Sequence, residues 1–70
     1  MQIILNGDPA DLPGPMSVQA LLERLKIDPR LVAVECDRIV IKRARYADTM
    51  ITAGAEVEIV AFVGGGSSPD

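Results

Sequence analysis

The sequence predicts an α+β domain in which one helix packs on one face of a mixed sheet of four to five strands. Two patterns support this fold class. Aliphatic residues recur at helical spacing between residues 18 and 25, and successive side chains alternate between two faces in residues 31–36 and 56–63. Hydrophobic residues make up 49% of the 70 residues, which is enough for one aliphatic core. We therefore expect the order strand, strand, helix, strand, strand, strand.

The first two predicted strands form a hairpin. Residues 1–5 are an apolar run, and Asn6-Gly7 is the dipeptide that most readily adopts the positive φ angles of a type I′ turn. The returning residues 8–12 are polar and contain Pro9, which favours a short edge strand. Two prolines and a glycine in residues 13–15 end this strand.

The helix is predicted to begin after Ser17, a favourable N-cap residue. Aliphatic residues at i, i+3, i+4 and i+7 share one face, and these are Val18, Leu21, Leu22 and Leu25. The other side is polar, with Gln19, Glu23, Arg24 and Lys26. We expect Asp28-Pro29 to end the helix.

A half-buried strand is predicted for residues 31–36, where Val32, Val34 and Cys36 share one face. This parity favours a core thiol at Cys36 over a sulfur-transfer role. Asp37-Arg38 is the expected turn into the next strand.

That next strand, residues 39–41, is expected to lead into a solvated loop that carries a basic cluster of Lys42, Arg43 and Arg45. An acidic partner surface is the alternative role for this cluster. Residues 46–52 show no clear period, and Gly54 indicates a turn.

The last strand is predicted for residues 56–63. One of its faces carries Val57, Ile59, Ala61 and Val63. The other face carries Val60 and Phe62, which are apolar where a solvated face would be polar. We predict that Val60 and Phe62 form a surface on which a partner docks.

The composition excludes most catalytic chemistry. The chain has no histidine and a single cysteine, so it lacks the residues for a His-dependent nucleophile or for paired-cysteine metal or redox sites. The net charge of −3 argues against a nucleic-acid partner. Without an apolar run of membrane-spanning length or a signal peptide, and with an unpaired cysteine, we expect a cytoplasmic protein that is not an enzyme and binds no metal.

A glycine-rich tail, residues 64–70, is expected to follow a domain formed by residues 1–63. It begins with Gly64, Gly65 and Gly66. Such an end is either a flexible terminus or a slender tip that fits a narrow enzyme cleft, because glycine has no side chain.

Several short segments together carry a family resemblance. They are Met1-Gln2-Ile3-Ile4-Leu5-Asn6-Gly7, Ser17-Val18-Gln19-Ala20-Leu21-Leu22, Val32-Ala33-Val34-Glu35, and Val57-Glu58-Ile59-Val60 followed closely by Gly64-Gly65-Gly66. In this order and spacing, residues 1–66 resemble the ThiS family, the sulfur-carrier proteins of thiamin biosynthesis.

The resemblance implies a ubiquitin-like β-grasp fold and a carrier cycle without a bound cofactor. An E1-like adenylating enzyme would use ATP to activate the Gly66 carboxylate, and a sulfur donor such as a cysteine desulfurase would supply the sulfur that displaces AMP. The resulting thiocarboxylate would give its sulfur to thiazole synthase. In this cycle Gly64 and Gly65 form the stalk, while Val60 and Phe62 dock on the partners.

Two features depart from the family pattern. Family members often carry Asn-Gly where this chain has Asp37-Arg38, and Arg adopts positive φ less readily, so we expect a different or longer turn. Four residues, Ser67-Ser68-Pro69-Asp70, follow the glycines, whereas adenylation needs a free carboxylate on Gly66. We therefore expect a peptidase to remove them, or else an inactive precursor.

Two alternatives stay open on the sequence alone. The small subunit of molybdopterin synthase shares the β-grasp fold, the glycine end and the thiocarboxylate, although it tends to be longer with a more aromatic, proline-bearing approach to the glycines. A ubiquitin-like interaction module, or a toxin–antitoxin type binder, would use the glycines only as a linker.

Overall fold

A computed structural model describes residues 1–62 of the chain. Its strands are β1 (Gln2–Leu5), β2 (Asp8–Asp11), β3 (Met16–Ser17), β4 (Val32–Cys36), β5 (Ile39–Ile41), β6 (Met50–Ile51) and β7 (Glu56–Ala61). The helical elements are α1 (Val18–Arg24) and two 3₁₀ turns, Pro29–Leu31 and Arg43–Arg45. Val63, which we predicted to end the last strand, and the predicted tail lie outside the described residues.

Five strands form one mixed sheet in the order β2-β1-β7-β4-β5. The last described strand is the central one, because β7 runs parallel to β1 and antiparallel to β4. The pairs β1–β2 and β4–β5 are antiparallel hairpins. The predicted mixed sheet with one α-helix is therefore confirmed.

Helix and sheet share one core. The helix contributes Val18, Leu21 and Leu22, all completely buried. The sheet contributes Ile3, Val32, Val34, Cys36 and Val57. Burial alternates along β4 as predicted, and each fully buried aliphatic side chain contributes about 1.5–3 kcal/mol of transfer free energy.

The helix ends earlier than predicted. Its last residue is Arg24, and Lys26 then adopts φ +59°. The closing bonds run from the N–H of Lys26 to the carbonyl of Glu23 at 3.1 Å and from the N–H of Ile27 to the carbonyl of Leu22 at 2.9 Å. This pattern is a Schellman motif, so a left-handed lysine ends the helix and not Asp28-Pro29. Leu25 consequently lies at the helix end and is 39% exposed.

The segment 46–52, which has no period in the sequence, holds the start of the helix in place. It contains strand β6, which pairs with β3, and two core residues, Tyr46 and Ile51. The first helical N–H groups are all accepted: that of Val18 by the Thr49 carbonyl at 2.9 Å, that of Gln19 by the Tyr46 carbonyl at 3.0 Å and that of Ala20 by the Ser17 hydroxyl at 3.0 Å. The helix N-terminus is thus satisfied within the fold.

Two turn residues extend the pairing of β7 on both sides. After β1, Asn6 accepts a hydrogen bond at Oδ1 from the N–H of Ile59 at 2.8 Å. After β4, Asp37 accepts at Oδ1 from the N–H of Glu56 at 2.9 Å. Both residues have positive φ, +50° and +52°.

The expectation of a different or longer β4–β5 turn was wrong. Cys36 pairs with Ile39, so the loop has two residues, and both have positive φ, with Arg38 at +69°. This is the geometry of a type I′ turn. The Asp37 side-chain and backbone bonds to Glu56 hold the turn in place, and Arg38 adopts the left-handed conformation that glycine usually takes there.

Candidate partner-docking face

Within residues 1–62, one face of the sheet packs against the core and the other is open. Val60 lies on the open face directly opposite Ala33 and is 58% exposed. Phe62 follows β7 and is 42% exposed, and its N–H donates to the Leu31 carbonyl at 2.9 Å. Val40 of β5 lies on the same face and is 65% exposed. Val40, Val60 and Phe62 are called the apolar patch below.

The structure thus places both predicted docking residues on an exposed apolar surface next to the end of β7. The sequence did not single out Val40, because a strand as short as β5 gives no clear alternation. Only the register, which pairs Val40 with Glu35, assigns it to the open face.

A groove of ≈ 620 Å³ lies beside the apolar patch, and Val40 and Phe62 form part of its wall. The groove lies where β7 and β5 end and β4 begins, since Val32 pairs with Ala61 and Val34 with Ile41. Three basic residues line it, namely Arg30, Lys42 and Arg43. This part of the cavity is called the basic groove below. Two of the three belong to the predicted basic cluster, whereas Arg30 joins them only through the fold.

Asp28 fixes the position of Arg30. Its carboxylate caps the 3₁₀ turn by accepting the Arg30 backbone N–H at 2.9 Å, and it accepts the Arg30 guanidinium at 3.1 Å (Nε) and 2.8 Å (Nη2). The side-chain bonds, then the backbone bond, lower the pKa of Asp28 from 3.8 to about 2. The carboxylate in turn raises the pKa of Arg30. Asp28 is therefore ionised throughout the physiological range.

Carboxylates occupy the opposite end of the open face. Glu56 and Glu58 alternate with the buried Val57 at the start of β7, and Glu58 lies directly opposite Glu35 of β4. Glu35, Glu56 and Glu58 are called the acidic stripe below. Along β7 the open face therefore changes from acidic to apolar, and then reaches the basic groove.

Cys36 is buried in the core, as predicted. Burial, and secondarily the Asp37 carboxylate, raise the pKa of its thiol. A raised pKa keeps sulfur in the unreactive thiol form.

Within residues 1–62 the structure contains no group of three or more His, Cys, Asp or Glu side chains that could hold a metal ion. None of the helices in this part of the chain is both long and apolar enough to span a membrane. The predicted reactive residue Gly66, with Gly64 and Gly65, lies outside the described residues.

Comparison with known proteins places the chain in a family. Residues 3–66 match the family model described as the ThiS family. The chain belongs to the ThiS family. The crystal structure of the thiamine biosynthesis protein ThiS from Geobacter metallireducens superposes on this ThiS-family chain with a TM-score of 0.84 at 33% identity, covering 94% of this chain and 100% of that one. The β-grasp fold implied by the resemblance is thereby confirmed.

Two curated relatives are proteins named thiazole synthase. The one from Paramagnetospirillum magneticum is 40% identical over 67 residues, and the one from Magnetococcus marinus is 35% identical over 69 residues. The matches cover 96% and 99% of this chain but 21% of each relative. This ThiS-family chain thus spans about a fifth of the length of these relatives.

Proposed function

We propose that this chain is a sulfur carrier of thiamin biosynthesis, a protein that other enzymes act on and that does not itself catalyse. The observation that carries the proposal is the ThiS family match over residues 3–66, which spans the described sheet from Ile3 onward and the three glycines after it. The carrier role also agrees with the composition, because a chain without histidine can still react through its own backbone carboxylate.

The reactive group in this proposal is the carboxylate of Gly66. It attacks the α-phosphorus of ATP on an E1-like adenylating enzyme and releases pyrophosphate, which leaves an acyl adenylate. The terminal sulfur of a persulfide, formed for instance on a cysteine desulfurase, then attacks the acyl carbon and displaces AMP, and a second thiol attacks the enzyme-side sulfur of the resulting acyl disulfide, forming a new disulfide there. The product is a thiocarboxylate whose sulfur is a tethered nucleophile, at high effective concentration for a docked acceptor.

The open face is the proposed docking surface. Val60 and Phe62 would contact the partner enzymes, and Gly64 and Gly65 would form the slender connection that lets the Gly66 carboxyl group enter a narrow cleft. Exposed apolar side chains of this size support a docking role because they are costly to leave in water.

Thiazole synthase is the proposed acceptor of the sulfur. Two relatives named thiazole synthase include a segment similar to this chain within one polypeptide, and covalent linkage of a carrier to its acceptor supports a physical partnership. We place this exchange in the cytoplasm, where an unpaired cysteine such as Cys36 stays reduced.

The proposal requires a free carboxylate on Gly66, so we propose that a peptidase removes Ser67-Ser68-Pro69-Asp70 before activation. The test compares the full chain with a chain ending at Gly66, each incubated with ATP, an E1-like adenylating enzyme and sodium sulfide. Intact-mass spectrometry should show replacement of one oxygen by sulfur only in the chain ending at Gly66.

The ThiS protein from Geobacter metallireducens serves as the comparison substrate in the same assay. If that protein acquires sulfur while the chain ending at Gly66 does not, the carrier function is wrong. The chain would then be an interaction module.

A further inference from the structure

The open face carries opposite charges at its two ends. The acidic stripe lies where β7 begins, and the basic groove lies where it ends. At about 3.3 Å per residue, the strand direction from Glu56 to Phe62 covers about 20 Å. This separation exceeds the Debye length of about 8 Å at physiological ionic strength. The charges at the two ends therefore act on a partner independently of each other.

The acidic stripe contains a pair that opposes folding. Glu35 and Glu58 are direct cross-strand neighbours, and their side chains share the open face. Like charges in this arrangement destabilise a sheet. Within residues 1–62 neither carboxylate has a salt-bridge partner, and Arg38 in the adjacent turn makes no salt bridge either. The described domain therefore bears an electrostatic cost that none of its own ion pairs offsets.

We propose that the acidic stripe, the apolar patch and the basic groove form one polarised docking face for a thiazole synthase. The partner surface would present cations opposite Glu35 and Glu58, and carboxylates opposite Lys42. This inference rests on the proposed function. The similarity of this chain to segments of two proteins named thiazole synthase identifies the occupant. Complementary charges are the means by which that surface would recognise the face.

Opposite charges at the two ends favour one docking orientation and penalise the reversed one. Phe62, the last described residue, lies at the basic end of the face. A fixed orientation would therefore bring the same side of the partner to the residues that follow Phe62 in every encounter. The charges would act by directing the carrier end toward the acceptor, while the apolar patch supplies the buried contact.

The test measures the dissociation constant of the full chain for thiazole synthase from the same organism at low and at high salt. Glu58→Lys reverses a charge in the acidic stripe, and Glu23→Lys makes the same change at an exposed position of the helix. Lys42→Glu and Arg24→Glu form the matched pair for the basic end. We expect Glu58→Lys and Lys42→Glu each to weaken binding about tenfold and the two controls less than about twofold, with the differences shrinking in high salt.

Stability separates this role from a structural one. Glu58→Lys converts the Glu35–Glu58 repulsion into an attraction, so its denaturation midpoint should rise while its affinity falls. A fall in both would mean that loss of the fold explains the weaker binding, and the proposal would be overturned. Equal affinity of Glu58→Lys and Glu23→Lys would also overturn it.

Failure of the inference and failure of the function are distinguishable. If the chain ending at Gly66 acquires sulfur but the full chain does not bind thiazole synthase, the docking proposal is overturned and the carrier function stands. If the chain ending at Gly66 acquires no sulfur while the Geobacter metallireducens protein does, the carrier function fails and the docking proposal fails with it.

Discussion

Asn6 shows how one side chain serves a turn and a distant strand at once. It adopts φ +50° in the first hairpin, and its Oδ1 accepts the N–H of Ile59, 53 residues later in the chain. The sequence predicts the turn, because Asn-Gly is a strong local signal. It does not predict the bond to β7, because a contact over this separation leaves no local pattern. Asp37 is the equivalent residue on the other side of β7.

The Asn6 bond can be tested with two substitutions that both tolerate positive φ. Asn6→Gly removes the acceptor and should lower the free energy of unfolding by about 1 kcal/mol, whereas Asn6→Asp keeps an acceptor and should cost less. Urea unfolding of the two variants measures the difference. Equal stability of both variants would show that the bond to Ile59 contributes nothing.

Arg38 is poorly suited to its backbone conformation. At φ +69° a β-carbon is strained, and glycine is the residue that type I′ turns favour at this position. We expect Arg38→Gly to stabilise the protein by about 1 kcal/mol relative to Arg38→Ala, which removes the same charge but keeps the β-carbon. A thermal midpoint for Arg38→Gly at or below that of Arg38→Ala would contradict this account.

At the scale of elements, the sequence predicts secondary structure best where a segment has a regular hydrophobic periodicity of its own. The helix face of Val18, Leu21 and Leu22 and the alternation of β4 are both confirmed, because their burial follows one regular period. Strands β3 and β6 are two residues each and are too short to show any period. Pairing with each other defines them, so only the tertiary structure reveals that Ile51 belongs to the core.

Ile51 and its neighbour Met50 test the placement of β6. Ile51 is completely buried, whereas Met50 is 54% exposed. Truncation of a buried Ile to Ala typically costs about 2–5 kcal/mol, and truncation at an exposed position costs less than about 0.5 kcal/mol. Chemical denaturation of Ile51→Ala and Met50→Ala should give this large difference. Similar losses for both would mean that β6 does not face the core.

The 3₁₀ turn after the helix predicts a specific acid titration. The pKa of Asp28 is about 2 in the folded protein and 3.8 ordinarily, so the folded state binds fewer protons than the unfolded state between these values. The stabilising contribution of this carboxylate is therefore present above pH 3.8 and is lost as the pH falls through 2. The contribution is small because the pair is exposed to solvent.

Carbon-detected NMR titration of the Asp28 carboxyl group measures this directly. We expect a midpoint near 2 in the unsubstituted protein. In Arg30→Gln the midpoint should move up toward 3.8, because the guanidinium bonds are lost. Unchanged titration of Asp28 in Arg30→Gln would rule out Arg30 as the cause of the lowered pKa.

At the scale of the molecule, one side of the sheet stabilises the fold and the described residues leave the other side open. The buried face joins Ile3, Val34 and Val57 to the helix, while Val60 and Phe62 stay exposed on the open face. The sequence located Val60 and Phe62 from strand parity alone. The acidic and basic ends of the same face follow only from register, because Glu35 and Arg30 join it from other parts of the chain.

The central claim is that this chain carries sulfur on the carboxyl group of Gly66. The most direct measurement is the intact mass of the protein isolated from its native cell under conditions that preserve thiocarboxylates. We predict a species that ends at Gly66, with a fraction in which sulfur replaces one oxygen. Protein that retains Asp70 throughout, with no shortened or sulfur-bearing species, would contradict the claim.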